Sequence, residues 1–167
     1  TYHNASDGQR YWGVALNLVG KGEFSIPQLW DSRPDTPLAR SGPLSPLVFA
    51  LFIKSLGFDN APLLIVIFQC GLLYVMSLLG KRLAAPFVAH PTVVQFLILF
   101  NPNLIGLAHH AQSDIMFAFI FTAILYLMNR ILTSPHNFSR SSFLLLGGLA
   151  GLLCLTRHIG LMFSIVL

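Results

Sequence analysis

The sequence predicts an all-α fold: a polytopic bundle of transmembrane helices preceded by a helical extramembrane loop. Hydrophobic residues make up 54% of the chain and charged residues only 10%, whereas soluble domains have about 25% charged residues. The mean hydropathy is +0.70. After residue 60, long apolar runs alternate with short polar connections, as in helices that cross a ~30 Å hydrocarbon core. We therefore expect a multi-pass integral membrane protein surrounded by membrane lipids.

The segment 1–45 is predicted to be an extramembrane loop because it is polar for this chain. Its charged residues are Asp7, Arg10, Lys21, Glu23, Asp31, Arg33, Asp35 and Arg40. Ser6 and Gln9 have the spacing of a capping box, which predicts a short helix from Asp7 to Val19. Helical periodicity predicts an apolar stripe and a polar face. The stripe consists of Tyr11, Ala15, Leu18 and Val19, and the polar face of Asp7, Arg10 and Asn17.

A second helix is predicted over 44–57, at the membrane interface. The run from Leu44 to Leu56 is mostly apolar. A helix of this length extends only about 20 Å, which is short of the hydrocarbon core. We therefore expect it to lie at the interface rather than to cross the membrane.

The region 61–167 is predicted to hold about four to five spans, the last one truncated. Apolar runs cover 61–79, 84–107, 115–132 and 143–155, and another begins at 159. Gly147 and Gly151 have a spacing that permits close helix packing. Because the last run is too short to cross a bilayer and the chain does not begin with Met, we expect a fragment of a larger protein.

Arg157 and His158 interrupt the last apolar stretch, and two arrangements fit the sequence. A single kinked span would carry Arg157 near its middle, at a cost of about 2.5–3.5 kcal/mol on insertion scales. A turn at these residues would instead separate two spans. We prefer the turn.

The parity of the predicted crossings assigns the polar segments to two sides of the membrane. The 1–45 loop, the 108–114 connection and the 156–158 turn share one side. The other side has Lys81, Arg82, Arg130 and Arg140. The excess of basic residues on cytoplasmic loops favours this second side as cytoplasmic, although the first loop also carries four basic residues.

Charge and cysteine usage exclude two other classes of function. The formal net charge is +4, but no basic run alternates with aromatic residues, so no nucleic-acid partner is expected. Cys70 and Cys154 both lie inside apolar runs, which predicts neither a disulfide framework nor a thiolate metal site.

Asp7 and Asp114 are the acidic residues that point to chemistry, because each stands at the end of an apolar segment where a carboxylate is costly. Each also has a structural alternative. Asp7 would favour a helix N-terminus through the macrodipole, and Asp114 would cap the third span. His110 and Asp114 are one helical turn apart and predict a metal-ligand pair, with a solvated turn as the alternative. Arg157 has snorkelling to the interface as its alternative role.

The ordered motifs of the chain resemble the GT-C glycosyltransferases. In the first loop they are Asp7-Gly8-Gln9-Arg10-Tyr11, Gly22-Glu23-Phe24-Ser25-Ile26-Pro27 and Gly42-Pro43-Leu44-Ser45-Pro46. Asn101-Pro102, Ser113-Asp114 and Leu155-Thr156-Arg157-His158 follow in the order and spacing of that family. The chain is most similar to the aminoarabinose-transferase and protein O-mannosyltransferase-like group, which uses dolichyl-phosphate mannose or related donors.

The resemblance implies a transferase that uses a polyprenyl-phosphate sugar donor on the extracytoplasmic face, with a lipid, glycan or protein acceptor. It implies catalytic roles for Asp7 and Asp114 and phosphate binding by Arg10 and Arg157. We expect Tyr11 and His158 to contact the donor or the acceptor, although interfacial anchoring is an alternative for Tyr11. The expected location is the bacterial inner membrane, with the site facing the periplasm or exterior.

A divalent metal ion is also implied, with Asp114 and His110 as the candidate ligands. The chain departs from the aminoarabinose branch at Arg40-Ser41, where that branch has an acidic–basic pair. The metal and the sugar therefore stay open at this point. The rival interpretation is a transporter or flippase segment, in which Asp114 and Arg157 line a substrate path.

Overall fold

The computed structural model of the chain describes residues 7–25, 42–110, 112–133 and 140–157. Within these ranges it contains helices and no β-strand, as the sequence predicts. The helices are α1 (Asp7–Lys21), α2 (Leu44–Leu56), α3 (Ala61–Ala84), α4 (Pro91–Leu99), α5 (Pro102–His109), α6 (Ser113–Thr133) and α7 (Arg140–Thr156).

The loop helix α1 packs against α2 at one end of the bundle. Tyr11 and Ala15 of α1 are buried in a cluster with residues of three other helices. Its remaining buried members are Phe49, Ala50 and Ile53 of α2, Ala61 and Ile65 of α3, and Met116 of α6. Helix α1 is therefore attached to the other helices by an apolar core.

The packed face of α1 differs in two places from the predicted stripe. Val14 is fully buried, whereas Val19 is 40% exposed. Asn17, expected on a polar face beside Asp7, is buried and donates from Nδ2 to the backbone oxygen and to Oγ of Ser25. A buried amide requires hydrogen-bond partners. By binding Ser25, the Asn17 side chain holds the segment that follows α1 against this helix. The predicted cap at Ser6 lies outside the described residues.

Two helices, α3 and α6, are long and apolar enough to cross a membrane. They pack against each other, and α7 packs on α6. Leu153 of α7 is buried with Ile120 and Ile124 of α6. The shorter apolar helices are α2 and α7. By length and composition, the described part of the chain is a membrane protein.

The apolar run 84–107, which has prolines near its start and near its end, does not form one continuous helix. Residues 85–90 are turns and irregular structure, and the run forms α4 and α5, which meet at a bend of 45°. Proline explains both boundaries, because it lacks an amide donor and favours the first turn of a helix. Pro91 begins α4 and Pro102 begins α5, where Oδ1 of Asn101 accepts the amides of Asn103 and Leu104. Together α4 and α5 count as a third candidate span.

The last described helix, α7, ends at Thr156, where the sequence predicts a turn, and Arg157 follows it in a non-helical conformation. The amide of Arg157 still donates to the backbone oxygen of Leu153, so the turn and the kinked span both stay predictions. Gly147 and Gly151, expected to permit close packing, face open space, since an added Cβ at either would have no neighbour within 4 Å. Residues 158–167 lie outside the described ranges.

Gly42 is the glycine that makes the closest approach. A Cβ at this position would overlap the backbone of Leu155 and Thr156 at the end of α7. We predict that Gly42→Ala lowers the free energy of unfolding by about 1–3 kcal/mol, the usual cost of overpacking. The measurement is thermal unfolding in nanodiscs.

Gly148→Ala is the matched control, because a Cβ at Gly148 would meet nothing within 4 Å and Gly148 is exposed on α7. This variant should leave the midpoint temperature of thermal unfolding unchanged. Equal midpoints for the two variants would contradict the close contact at Gly42.

Candidate active site at the end of the bundle

The ion pair between Asp114 and Arg157 is the centre of the candidate site. Nη1 of Arg157 lies 2.7 Å from Oδ1 of Asp114, and the side chains are 37% and 25% exposed respectively. Asp114 is in the first turn of α6, and Arg157 directly follows the last residue of α7. The sequence indicated both residues separately, and the structure brings them together.

The helix dipoles favour this arrangement of charges. A carboxylate is stabilised near a helix N-terminus and a cation near a C-terminus. Asp114 and Arg157 stand at those ends of α6 and α7, which run antiparallel. The predicted capping role of Asp114 does not hold, because α6 begins at Ser113 and Asp114 is inside the helix.

Tyr11 links the loop helix to this ion pair. Its hydroxyl is 3.0 Å from Oγ of Ser113, the residue before Asp114, in a buried hydrogen bond. The Tyr11 side chain is 2% exposed. A side chain this buried does not present its ring to a substrate, so the expected donor or acceptor contact of Tyr11 is corrected to an internal contact.

Gln69 of α3 binds Gln112, the residue before Ser113. Its Nε2 donates to the backbone oxygen of Gln112 at 3.1 Å. The side chain is fully buried, and its Oε1 has no hydrogen-bond partner among the described residues. Helix α3 thus binds Gln112, and helix α1 binds the next residue, Ser113.

The remaining predicted residues lie around this centre or outside the described set. Arg10 is half-buried on α1, next to Tyr11 in the chain. Asp7 is the first residue of α1, one helical turn before Tyr11, which is about 5–6 Å along the axis. The side chain of Asp7 and the whole of His158 lie outside the described residues.

The predicted metal ligands do not form a cation site by themselves. His110 is exposed, with its ring edge-on to that of His109. One oxygen of Asp114 is already paired with Arg157. Among the described residues, no group of three or more His, Cys, Asp or Glu side chains is close enough to hold a metal ion. The divalent metal therefore stays a prediction, and no step below is assigned to it.

The site offers a carboxylate beside a guanidinium at the end of apolar helices. Arginine has five N–H donors in a planar fork, so one contact with Asp114 leaves donors for a second anion. Arginine forks of this kind suit phosphate oxygens. The arrangement therefore provides acid–base capacity and anion binding at one place.

Comparison of the chain with protein-family models, with curated proteins and with solved structures found no match. The geometry of the site is therefore the basis for the functional proposal.

Sequence reasoning missed Ser113 and Gln69 as members of the site. A signal for Gln69 was present, since its polar amide lies within the uncharged, mostly apolar run 61–79. A polar group in a span requires an internal partner. No sequence signal pairs Ser113 with Tyr11, because 102 positions separate them.

We predict that Asp114 and Arg157 are energetically coupled. A double-mutant cycle with Asp114→Asn and Arg157→Gln should give a coupling energy on the order of 1 kcal/mol, near the upper end for partly exposed pairs. The coupling should weaken as salt is added, since partly exposed charges are screened. Thermal unfolding in nanodiscs measures each variant.

The control cycle pairs Asp114→Asn with Arg130→Gln. Arg130 is on the same helix, sixteen residues and roughly 24 Å further along the axis. This cycle should show no coupling. A coupling energy as large as that with Arg157 would contradict a specific ion pair.

Proposed function

We propose that the protein is a glycosyltransferase that transfers a sugar from a polyprenyl-phosphate donor at the extracytoplasmic membrane surface. One observation carries the proposal: the Asp114–Arg157 pair stands at the end of the helical bundle and is tied to the loop helix α1 through Ser113 and Tyr11. The second acidic residue implied by the resemblance, Asp7, begins that same helix.

The reaction requires a base and a cation. In the proposed reaction, the carboxylate of Asp7 removes the proton of an acceptor hydroxyl, and the acceptor oxygen attacks the anomeric carbon. The bond between that carbon and the phosphate oxygen breaks, and its electron pair leaves with the polyprenyl phosphate. Arg157 and Arg10 stabilise the charge that develops on the departing phosphate. Asp114 holds the guanidinium of Arg157 in place and is the alternative base.

The outer face of α2 suits the lipid part of such a donor. Leu47 and Leu51 are exposed one turn apart on this short helix, at 46% and 65%, and Lys54 is exposed near its end. Apolar side chains beside a cation are typical of a helix that lies in the membrane interface. A polyprenyl chain would contact this face while its phosphate reaches the arginines.

The rival function is a transporter or flippase, in which charged residues line a path. Transporter sites are expected near the middle of the membrane. Asp114 is instead in the first turn of α6, a helix long enough to cross a membrane by itself. Its carboxylate is therefore expected near the membrane surface, which favours chemistry there over passage through the membrane.

We predict that Asp7→Asn abolishes transfer without unfolding the protein. Asparagine caps a helix about as well as aspartate but is not a base. Turnover should fall about a hundredfold or more. The assay uses polyprenyl-phosphate mannose and polyprenyl-phosphate aminoarabinose in proteoliposomes, with thermal stability recorded in parallel.

Asp59→Asn is the control, since Asp59 is exposed in the turn between α2 and α3. It should retain full turnover. Near-normal turnover of a folded Asp7→Asn enzyme would exclude Asp7 as the base and assign that role to Asp114.

The sidedness of the site gives a second prediction. The test starts from a cysteine-free chain with Cys70→Ser and Cys154→Ser. Single cysteines are then introduced as Glu23→Cys, after α1, or Arg82→Cys, near the end of α3. A membrane-impermeant thiol reagent added to spheroplasts should label position 23 but not position 82. Labelling of both positions from outside would contradict the proposed topology.

A further inference from the structure

We propose that Gln69 and the Tyr11–Ser113 pair are positioning residues that set the relation between the acidic residue of α1 and the ion pair of α6 and α7. The inference rests on the proposed transferase function. It assigns to buried polar groups a role in the reaction although they do not contact the substrate.

The first step is the convergence of two hydrogen bonds on one short segment. Gln69 holds the backbone oxygen of Gln112, and Tyr11 holds the hydroxyl of Ser113. Asp114 is the next residue in the chain. Because both bonds come from other helices, they fix the start of α6 in position and direction, and with it the carboxylate that meets Arg157.

The second step concerns what Gln69 contributes. The side chain is fully buried in a candidate membrane span, and its Oε1 lacks a partner among the described residues. An unsatisfied buried acceptor is unfavourable, so the amide is present at a cost. Its Nε2 donates to the backbone oxygen of Gln112 and sets the position of that residue, and an apolar replacement would remove this bond.

The third step concerns the two acidic residues of the proposed reaction. Asp7 begins α1 one turn before Tyr11, and Asp114 follows Ser113 directly. The Tyr11–Ser113 bond is thus a direct link between the helix that bears Asp7 and the helix that bears Asp114. Loss of this bond would change the separation of the two carboxylates, and a displacement of about 1 Å at a reacting group costs up to a hundredfold in rate.

The experiment compares Ser113→Ala with Ser113→Thr, which restores a hydroxyl, and includes Gln69→Met, which keeps the side-chain length but removes the amide. Turnover is measured in proteoliposomes of the full chain with the two polyprenyl-phosphate donors named above. We expect kcat to fall about tenfold to a hundredfold for Ser113→Ala and Gln69→Met, with KM nearly unchanged. Ser113→Thr should recover most of the rate.

Ser77→Ala is the matched control. Ser77 is also fully buried on α3, but its hydroxyl donates to Tyr74 of its own helix. It should change neither kcat nor KM. A purely structural role for Gln69 or Ser113 would instead lower the thermal midpoint and the amount of active protein while leaving kcat per active molecule unchanged.

A measurement independent of activity separates this inference from the proposed function. Spin labels at Lys21→Cys and His109→Cys, both exposed positions, report the position of α1 relative to the bundle in the cysteine-free chain. Their distance distribution should broaden in Ser113→Ala and stay narrow in Ser77→Ala.

An unbroadened distribution would overturn the link between α1 and α6. Broadening with unchanged kcat would overturn the positioning role alone. A third outcome is a distribution that broadens in Ser113→Ala as expected while the wild-type chain transfers neither sugar. That result would overturn the transferase proposal and the catalytic part of this inference, while the hydrogen-bonded link between α1 and α6 would stand.

Discussion

The ion pair of Asp114 and Arg157 is the interaction on which the arrangement of the bundle end depends. It joins the first turn of α6 to the end of α7, and each charge also stabilises the helix end beside it. Without Arg157, the carboxylate would stand beside apolar helices with no cation, which is costly near lipid. The hydrogen bonds of Tyr11 and Gln69 are arranged around this pair, on the two preceding residues.

Much of the helical architecture follows from the sequence because its causes are local. The helices α2, α3, α6 and α7 coincide with apolar runs, and α3 continues past the predicted end at residue 79 to include Lys81 and Arg82. Long side chains near helix ends reach water by snorkelling, so basic residues do not terminate a helix. The break between α4 and α5 falls at Asn101-Pro102, where proline begins a new helix although the residues on both sides are mostly apolar.

The sequence could identify individual residues of the site but not the contacts between them. Asp114 and Arg157 were recognisable because charge is rare in such a chain. Their pairing, and the contact of Tyr11 with Ser113, depend on how α1, α6 and α7 pack, and periodicity within a single helix does not contain that information. The same limit explains Asn17, which was predicted on the polar face of α1 but whose amide binds Ser25.

The separation of Tyr11 and Ser113 along the chain has a consequence for biosynthesis. These residues are 102 positions apart, and a ribosome that adds roughly 5–20 residues per second needs about 5–20 s to cover that interval. Arg157 is made later still. The apolar face of α1 can pack on α2 soon after synthesis, but the Tyr11 hydroxyl has no Ser113 to bind until α6 is made. The ion pair cannot form before α7 is complete, so a chain that stops before α7 leaves Asp114 without Arg157.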